Sequence, residues 1–217
     1  MPSFRLVVYD LDGTLVDSRG DIADALNFAL AQLGLPTHTD EAVERMIGEG
    51  ATRLVERAIG EARHELDEAL AIFRARYGAH LADRTRPYAG VVDMLASSRA
   101  QSAVATNKPG GWAREICRGL GLERHLVAIL GADDVPRSKP DPAVVDVLRE
   151  RARVERGETL LVGDSLADIA TARAAGVTVC AVSWGYGEES TLRAAAPDYL
   201  CHAPAQVSRL IAGGGSG

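Results

Sequence analysis

"VVYDLDGTLVDS" (residues 7–18) leads from an apolar strand pattern directly into two aspartates, Asp10 and Asp12, that flank a single leucine. A third acid, Asp17, follows the Gly-Thr turn. Clustered carboxylates repel one another and raise each other's pKa unless a cation or a proton lies between them. The segment by itself also fits a solvated strand-to-loop turn, in which Asp and Gly are common. The surrounding sequence decides between an acidic site and an ordinary turn.

The apolar run at 4–10 is the first of five short runs, each followed by turn residues and a helical pattern. The others are SAVATN (102–107), LVAILGA (126–132), TLLVGD (159–164) and VTVCAV (177–182). Unbroken apolarity over so few residues is typical of strands buried on both faces of a parallel sheet. Their alternation with helical segments such as PAVVDVLRERA predicts an α/β fold with a doubly wound, Rossmann-like parallel sheet.

One long interval, residues 17–86, carries no convincing strand pattern. It contains two apolar stripes at helical spacing: Ile22, Leu26, Leu30 and Leu33, then Leu66, Leu70, Phe73, Tyr77 and Leu81. Pro87 and Gly90 in RPYAG mark the return to the core. We therefore predict a discontinuous core domain (1–16 and 87–212), an inserted all-helical cap domain (17–86) and a flexible Gly/Ser tail (213–217).

Composition excludes several classes of function. The net charge of −6 argues against an electrostatic nucleic-acid footprint. No segment has the pattern of a membrane span or a secretory leader, and the spacing of the three cysteines fits no zinc site. We expect a cytoplasmic protein, monomeric or homodimeric. Lysine occurs only at Lys108 and Lys139 in an arginine-rich chain, which makes each lysine informative.

Polar side chains recur where the predicted strands end. In open α/β sheets, ligands bind beyond the carboxyl ends of the strands. Residues of this kind are Asp10 and Asp12 after the first strand, Thr106 and Asn107 after the second, Lys139 in the SKPDP loop after the third, and Asp164 after the fourth, with Asp168 on the same side of the next helical turn. Singly, Thr106–Asn107 fits a strand-end turn and Lys139 a surface lysine. Jointly, the residues predict one polar site at this edge.

Phosphoryl transfer gives each residue type a reason to be there. Carboxylate oxygens are ligands that suit Mg²⁺. One carboxylate can attack phosphorus and form an aspartyl-phosphate, which divides a difficult displacement into two easier ones. A second carboxyl nearby can protonate the leaving alkoxide and then activate water. Hydroxyl, amide and ammonium donors can bind the phosphoryl oxygens.

Four segments resemble the motifs of the haloacid dehalogenase superfamily: DLDGTLVDS, TN, SKPDP and GDSLADIATARAAG. Within that superfamily the chain is most similar to the phosphoglycolate phosphatases. The resemblance implies that Asp10 is the nucleophile and Asp12 the general acid and base. It also implies that Mg²⁺ is held by the Asp10 carboxylate, the Asp12 main-chain carbonyl and Asp164, with Asp168 supporting them.

The same resemblance implies how phosphate is bound. Thr106 and Lys139 would hold it, assisted by Asn107 and by main-chain N–H groups near Gly13. Lys139 would also restrain the charge of Asp10, and the cap would close over the site, exclude water and select the substrate. Mg²⁺ and a lysine would then allow the clustered acids to lie together.

The resemblance favours a small phosphorylated metabolite, 2-phosphoglycolate, as substrate. Its carboxylate requires a cation, and Arg57 in the cap is the preferred candidate over Arg53. Glu49 departs from the uncharged amide often found in this Gly-x-Gly loop and could repel a carboxylate. Sugar phosphates, nucleoside monophosphates, pyrophosphate and esters of specialised metabolism therefore stay open.

Other activities fit less well. A dehalogenase has no alcohol to protonate, so Asp12 favours phosphoryl chemistry, and a cap without lysine argues against a Schiff-base phosphonatase. A sugar phosphomutase shares the nucleophile and the acid/base, but it must also rebind a bisphosphate intermediate in its cap, and no clear sequence feature demands that. A non-enzymatic phosphate-binding or receiver-like module also uses an acid cluster, Thr and Lys, but a receiver lacks the cap. A scaffold has no need of so costly a cluster.

Overall fold

The computed structural model describes residues 4–213, so that of the predicted tail only Gly213 lies within it. Its strands are β1 (Leu6–Tyr9), β2 (Val16–Asp17), β3 (Arg86–Pro87), β4 (Gln101–Ala105), β5 (Ala128–Leu130), β6 (Thr159–Gly163), β7 (Thr178–Val182) and β8 (Tyr199–Cys201). Six of them form one sheet in the order β5-β4-β1-β6-β7-β8, and every neighbouring pair in it is parallel. This arrangement confirms the predicted α/β fold with a Rossmann-like parallel sheet.

The helices divide between the insertion and the sheet. Those of the insertion are α1 (Arg19–Gln32), α2 (Asp40–Glu44), α3 (Ala51–Ile59) and α4 (Leu66–Ala79). Those along the sheet are α5 (Val91–Ser97), α6 (Gly110–Gly119), α7 (Ala143–Ala152), α8 (Leu166–Ala175), α9 (Glu189–Ala194) and α10 (Pro204–Ile211). No helix between residues 4 and 213 is both long and apolar enough to cross a membrane.

The central strand β1 is buried along its whole length. Successive side chains of a strand point to opposite faces. Val7 and Tyr9 accordingly pack in a cluster with side chains of α5, α6 and α10, whereas Leu6 and Val8 pack in a second cluster with side chains of α7 and α8. Each face of the sheet is therefore covered by helices, as in a doubly wound fold.

Sequence patterns located five of the six strands of this sheet and missed β8. The missed strand has three residues and only one buried side chain, Cys201. It forms by pairing with β7, where Ala181 lies opposite Leu200. Its backbone partner, rather than its own apolarity, defines it, so no local pattern could indicate it.

The insertion has its own core, built where α1 packs against α4. Six positions of the two predicted stripes are buried there: Ile22, Leu26, Leu30, Phe73, Tyr77 and Leu81. The other three, Leu33, Leu66 and Leu70, are only partly buried. The short antiparallel ribbon of β2 and β3 lies where the chain leaves and re-enters the core. It spans the predicted limits at residues 16 and 87, and the division into cap and core domains remains our proposal.

A buried carboxylate ties the two ends of the insertion together. Asp21 in α1 accepts hydrogen bonds from the backbone N–H of Arg84 (2.9 Å) and of Thr85 (2.8 Å) and from the Thr85 hydroxyl (2.6 Å). A carboxylate that accepts several hydrogen bonds is well compensated for its burial. Asp21 therefore positions the first helix of the insertion against the segment that returns to the core.

Candidate active site

Asp10 lies immediately beyond the carboxyl end of the central strand. Its backbone N–H donates to the carbonyl of Val162 (2.9 Å) and extends the pairing of β1 with β6 by one residue. The side chain is buried, and its Oδ1 accepts a hydrogen bond from the N–H of Leu11 (2.7 Å). The same oxygen forms an ion pair with Lys139 Nζ (3.0 Å). The sheet therefore fixes Asp10 at the edge where ligands of such folds bind.

Two further buried aspartates face Asp10 from the end of β6 and the start of α8. One carboxylate oxygen from each of Asp10, Asp164 and Asp168 lies within 4.8 Å of the others. Asp164 accepts the hydroxyl of Thr14 (2.8 Å) and the N–H of Tyr186 (2.8 Å). These hydrogen bonds orient Asp164 towards the cluster.

Asp168 has a double task at the N-terminus of α8. It exchanges capping hydrogen bonds with Ser165, which begins the helix, and its other oxygen accepts Lys139 Nζ at 2.6 Å. Lys139 thereby bridges Asp168 and Asp10. The structure brings together Asp10, Lys139, Asp164 and Asp168, as the strand-end pattern predicted.

The cluster holds more negative charge than its lysine balances. Burial, followed by the neighbouring aspartates, raises the pKa of Asp10 to about 8 against the opposing effect of Lys139. Burial and then Asp168 raise the pKa of Asp164 to about 7. Burial lowers the pKa of Lys139, but its pairs with Asp10 and Asp168 outweigh that effect and raise it above its usual range. The three carboxylates offer hard oxygen ligands, and only one ammonium balances their charge. This combination fits a small divalent cation.

Asp12 has a separate set of partners. Its Oδ1 accepts the hydroxyl of Ser18 (2.5 Å) and pairs with Lys108 Nζ (3.0 Å). Ser18 precedes α1, and its N–H donates to the hydroxyl of Tyr186 (2.8 Å). The two aspartates of the opening motif are therefore held by different lysines, Asp10 by Lys139 and Asp12 by Lys108, and these are the only lysines in the chain.

Lys108 is a site residue that the motifs did not reveal. Its ammonium is buried, donates to the hydroxyl of Tyr77 in α4 (2.6 Å), and lies 4.5 Å from the centre of the Tyr77 ring. It connects Asp12 to the helical insertion. The available signal was compositional: Lys108 is one of two lysines and directly follows Thr106 and Asn107.

Thr106 and Asn107 lie beyond the end of β4, at the same edge. The N–H of Thr106 donates to Leu130 (3.0 Å), which keeps the residue aligned with β5. Asn107 Nδ2 donates to the carbonyls of Gly48 in the insertion (3.2 Å) and of Lys139 (3.3 Å). Asn107 therefore joins insertion and core in this structure, and the roles of Thr106 and Asn107 in phosphate binding stay predictions.

Gly13 lies against Asp164. Its φ of +83° favours glycine, and a Cβ there would overlap the Asp164 carboxylate. Its N–H donates to the carbonyl of Val16 (2.9 Å). The structure thus gives Gly13 a place in shaping the turn beside the acids, and phosphate binding through its N–H stays a prediction.

Arg57, the expected cation for a substrate carboxylate, is engaged within the insertion. Its guanidinium forms an ion pair with Glu49 and donates to the carbonyl of Met46 (3.1 Å). Its side chain is 40% exposed. Arg53 similarly pairs with Glu56 (2.8 Å). The acid noted as a departure in the loop neutralises the arginine, whose role in substrate binding stays a prediction.

Comparison with known proteins identifies the class of this chain. A family model for haloacid dehalogenase-like hydrolases matches residues 7–182. The chain therefore belongs to the haloacid dehalogenase-like hydrolase family, which confirms the resemblance of its four motifs.

Several individual relatives are phosphoglycolate phosphatases by name. A phosphoglycolate phosphatase of Rhodospirillum rubrum is 41% identical over 197 residues, which are 85% of this chain and 82% of the relative. One from Chromobacterium violaceum is 40% identical over 199 residues, 88% of this chain and 90% of the relative. The crystal structure of a predicted phosphoglycolate phosphatase from Haemophilus somnus 129pt has a TM-score of 0.89 at 30% identity and covers 97% of this chain and 99% of its own. The similarity thus extends through the insertion as well as the sheet.

Proposed function

We propose that this protein is a Mg²⁺-dependent phosphatase that hydrolyses a small phosphate monoester, 2-phosphoglycolate, through an aspartyl-phosphate on Asp10. The observation that carries the proposal is the pairing of two aspartates, one residue apart, with two different lysines. This arrangement gives the two carboxyl groups different surroundings and therefore different chemical roles. The similarity to phosphoglycolate phosphatases supports the choice of substrate.

In the first step, an Asp10 oxygen attacks phosphorus while the bond from phosphorus to the leaving oxygen breaks. Oδ1 is engaged by Leu11 and Lys139, and within residues 4–213 no protein group hydrogen-bonds to Oδ2, which leaves Oδ2 for the attack. Asp12 gives its proton to the leaving oxygen. In the second step, water attacks the aspartyl-phosphate, Asp12 takes the proton of that water, and the Asp10 carboxylate is regenerated.

Asp10, Asp164 and the Asp12 carbonyl would hold Mg²⁺, with Asp168 supporting them from the base of the cluster. When bound, the ion supplies positive charge that stabilises the phosphoryl oxygens. Lys139, which is paired with both Asp10 and Asp168, would supply further positive charge. Thr106 and Asn107, at the neighbouring strand end, would donate hydrogen bonds to the same oxygens.

Asp12→Asn tests the acid/base assignment. We expect turnover of an alkyl phosphate to fall by roughly 10²- to 10⁴-fold, because the amide cannot protonate the leaving alkoxide. The loss should be much smaller with p-nitrophenyl phosphate in single-turnover measurements, since its leaving group needs no proton. Equal losses with both esters would contradict the role of Asp12 as the acid.

The proposed substrate is tested by measuring phosphate release, with Mg²⁺, from a panel of esters. The panel contains 2-phosphoglycolate, hexose phosphates, nucleoside monophosphates and pyrophosphate. We expect kcat/KM to be highest for 2-phosphoglycolate. A preference for another ester would keep the mechanism and replace the substrate, whereas release from no ester would contradict the proposed function.

A further inference from the structure

A small cavity lies beside Asp12, between the insertion and the core. Its volume is about 60 Å³, which corresponds to roughly four water-sized positions. Much of its wall is apolar, from Ile22, Ile47, Leu54, Phe73 and Trp112. Lys108 and Tyr77, both almost completely buried, line the same cavity. Asp10, Asp12, Thr106 and Asn107 form the rest of its polar lining. A buried ammonium and a buried hydroxyl require hydrogen-bond acceptors.

The local structure uses only part of the donor capacity of these two groups. An ammonium has three hydrogens, and Lys108 directs two of them to Asp12 and to the Tyr77 oxygen. The Tyr77 oxygen is the acceptor in that contact, so its own proton is available, and no acceptor for it lies within hydrogen-bond distance among residues 4–213. Burial raises the pKa of Tyr77 to about 12, and the hydroxyl keeps its proton near neutral pH. Two donors therefore remain for a ligand.

The arginines of the neighbouring open cleft are poorer candidates for binding an anion. Arg45, Arg53 and Arg57 line that cleft and all three are exposed, and Arg53 and Arg57 are each paired with a glutamate of the insertion. The Lys108 side chain, in contrast, is 5% exposed. A charge interacts more strongly with a ligand where water is excluded than at an exposed surface.

We propose that Lys108 and Tyr77 bind the carboxylate of the substrate's leaving group, and that the cavity selects phosphate esters of a two-carbon hydroxy acid. The inference rests on the proposed phosphatase activity and deepens it. The cavity adjoins Asp12, which protonates the leaving oxygen, so the leaving group extends into it. Its small volume suits a short leaving group such as CH₂–COO⁻ better than a hexose. Arg57 is then not the carboxylate ligand.

Direct binding of the product tests the proposal without turnover. Glycolate and its neutral analogue glycolamide are titrated, without Mg²⁺, into ¹⁵N-labelled protein, and the indole N–H signal of Trp112 in the cavity wall is followed. We expect glycolate to bind roughly 10- to 100-fold more tightly than glycolamide, as for a hydrogen-bonded charge. Lys108→Met should remove that preference, Tyr77→Phe should reduce it, and Arg57→Met should preserve it.

Several outcomes would overturn the assignment: no glycolate binding, equal binding of both ligands, or a preference that survives Lys108→Met and Tyr77→Phe. Loss of the preference for glycolate in Arg57→Met alone would show that Arg57, rather than Lys108 and Tyr77, binds the carboxylate. If Lys108→Met does not fold, Tyr77→Phe still decides the test, because it removes only one oxygen atom and should reduce the preference. Glycolate binding that depends on Lys108, in a protein that hydrolyses no ester, would contradict the phosphatase function and leave the binding site standing.

Kinetics provide a second test, in which a ratio of rate constants removes the effect of the contact between Lys108 and Asp12. This lysine also holds Asp12, so Lys108→Met should slow the hydrolysis of every ester. The ratio of kcat/KM for 2-phosphoglycolate to that for its carboxamide analogue removes this common loss. We expect the ratio to fall roughly tenfold or more in Lys108→Met. An unchanged ratio would limit Lys108 to positioning Asp12 and refute the carboxylate site.

Discussion

Asp10→Asn is expected to lower the turnover of every phosphate ester by roughly 10⁴-fold or more, because an amide cannot form the covalent intermediate. The protein should still unfold cooperatively near the wild-type melting temperature. Asn has nearly the size of Asp, and it removes a buried charge that the neighbouring aspartates repel. Phosphate release and thermal unfolding, measured on the same preparation, separate lost chemistry from lost structure.

Asp17→Asn is the matched control, since it removes another acid of the same motif. Asp17 is paired with Arg19 (2.8 Å) and is not one of the three clustered aspartates. We expect its rate to stay within a few-fold of wild type. Wild-type-like turnover in Asp10→Asn, or an equal loss in both variants, would refute Asp10 as the nucleophile.

Removal of divalent cations is expected to have the second largest effect. A bound cation supplies several kcal/mol of transition-state stabilisation, so excess EDTA should lower the rate roughly 10³-fold, and added Mg²⁺ should restore it. The physical reason is the excess negative charge of Asp10, Asp164 and Asp168 over the single ammonium of Lys139. Full activity in excess EDTA would contradict the metal assignment.

Thermal unfolding gives a measurement of the metal site that does not depend on catalysis. A cation that binds only the folded protein stabilises it by about 2.7 kcal/mol at one hundred times its dissociation constant. Mg²⁺ should therefore raise the melting temperature of the wild type. Asp164→Asn should weaken this response, whereas Asp17→Asn should keep it. A response that is identical in all three proteins would place the cation elsewhere.

The parts of the site that the sequence predicted depend on local patterns. Asp10 and Asp164 each end an apolar run, and parallel strands bring such ends to one edge whatever their separation along the chain. Thr106 follows the same rule, whereas Lys139 lies in the loop between β5 and α7. The family motifs then assigned roles that strand patterns alone cannot give.

The parts that the sequence did not predict depend on contacts between distant segments. The spacing of residues in the sequence could not show that Lys108 contacts Asp12 and Tyr77. These partners lie in two distant segments, the turn after β1 and helix α4. Arg57 occupies the helix expected for it, but its pairing with Glu49 depends on the loop that precedes α3. Local periodicity specifies elements, and side-chain partners follow only from how those elements pack.

The burial of both lysines has a practical consequence for the chemistry of the protein surface. Their side chains are 5% and 2% exposed, so the folded chain presents almost no lysine amine to an acylating reagent. Acylation of either lysine requires a rearrangement of the site that exposes its amine, or unfolding of the chain. The rate at which the two amines are modified, read by mass spectrometry, therefore reports how often the active site opens.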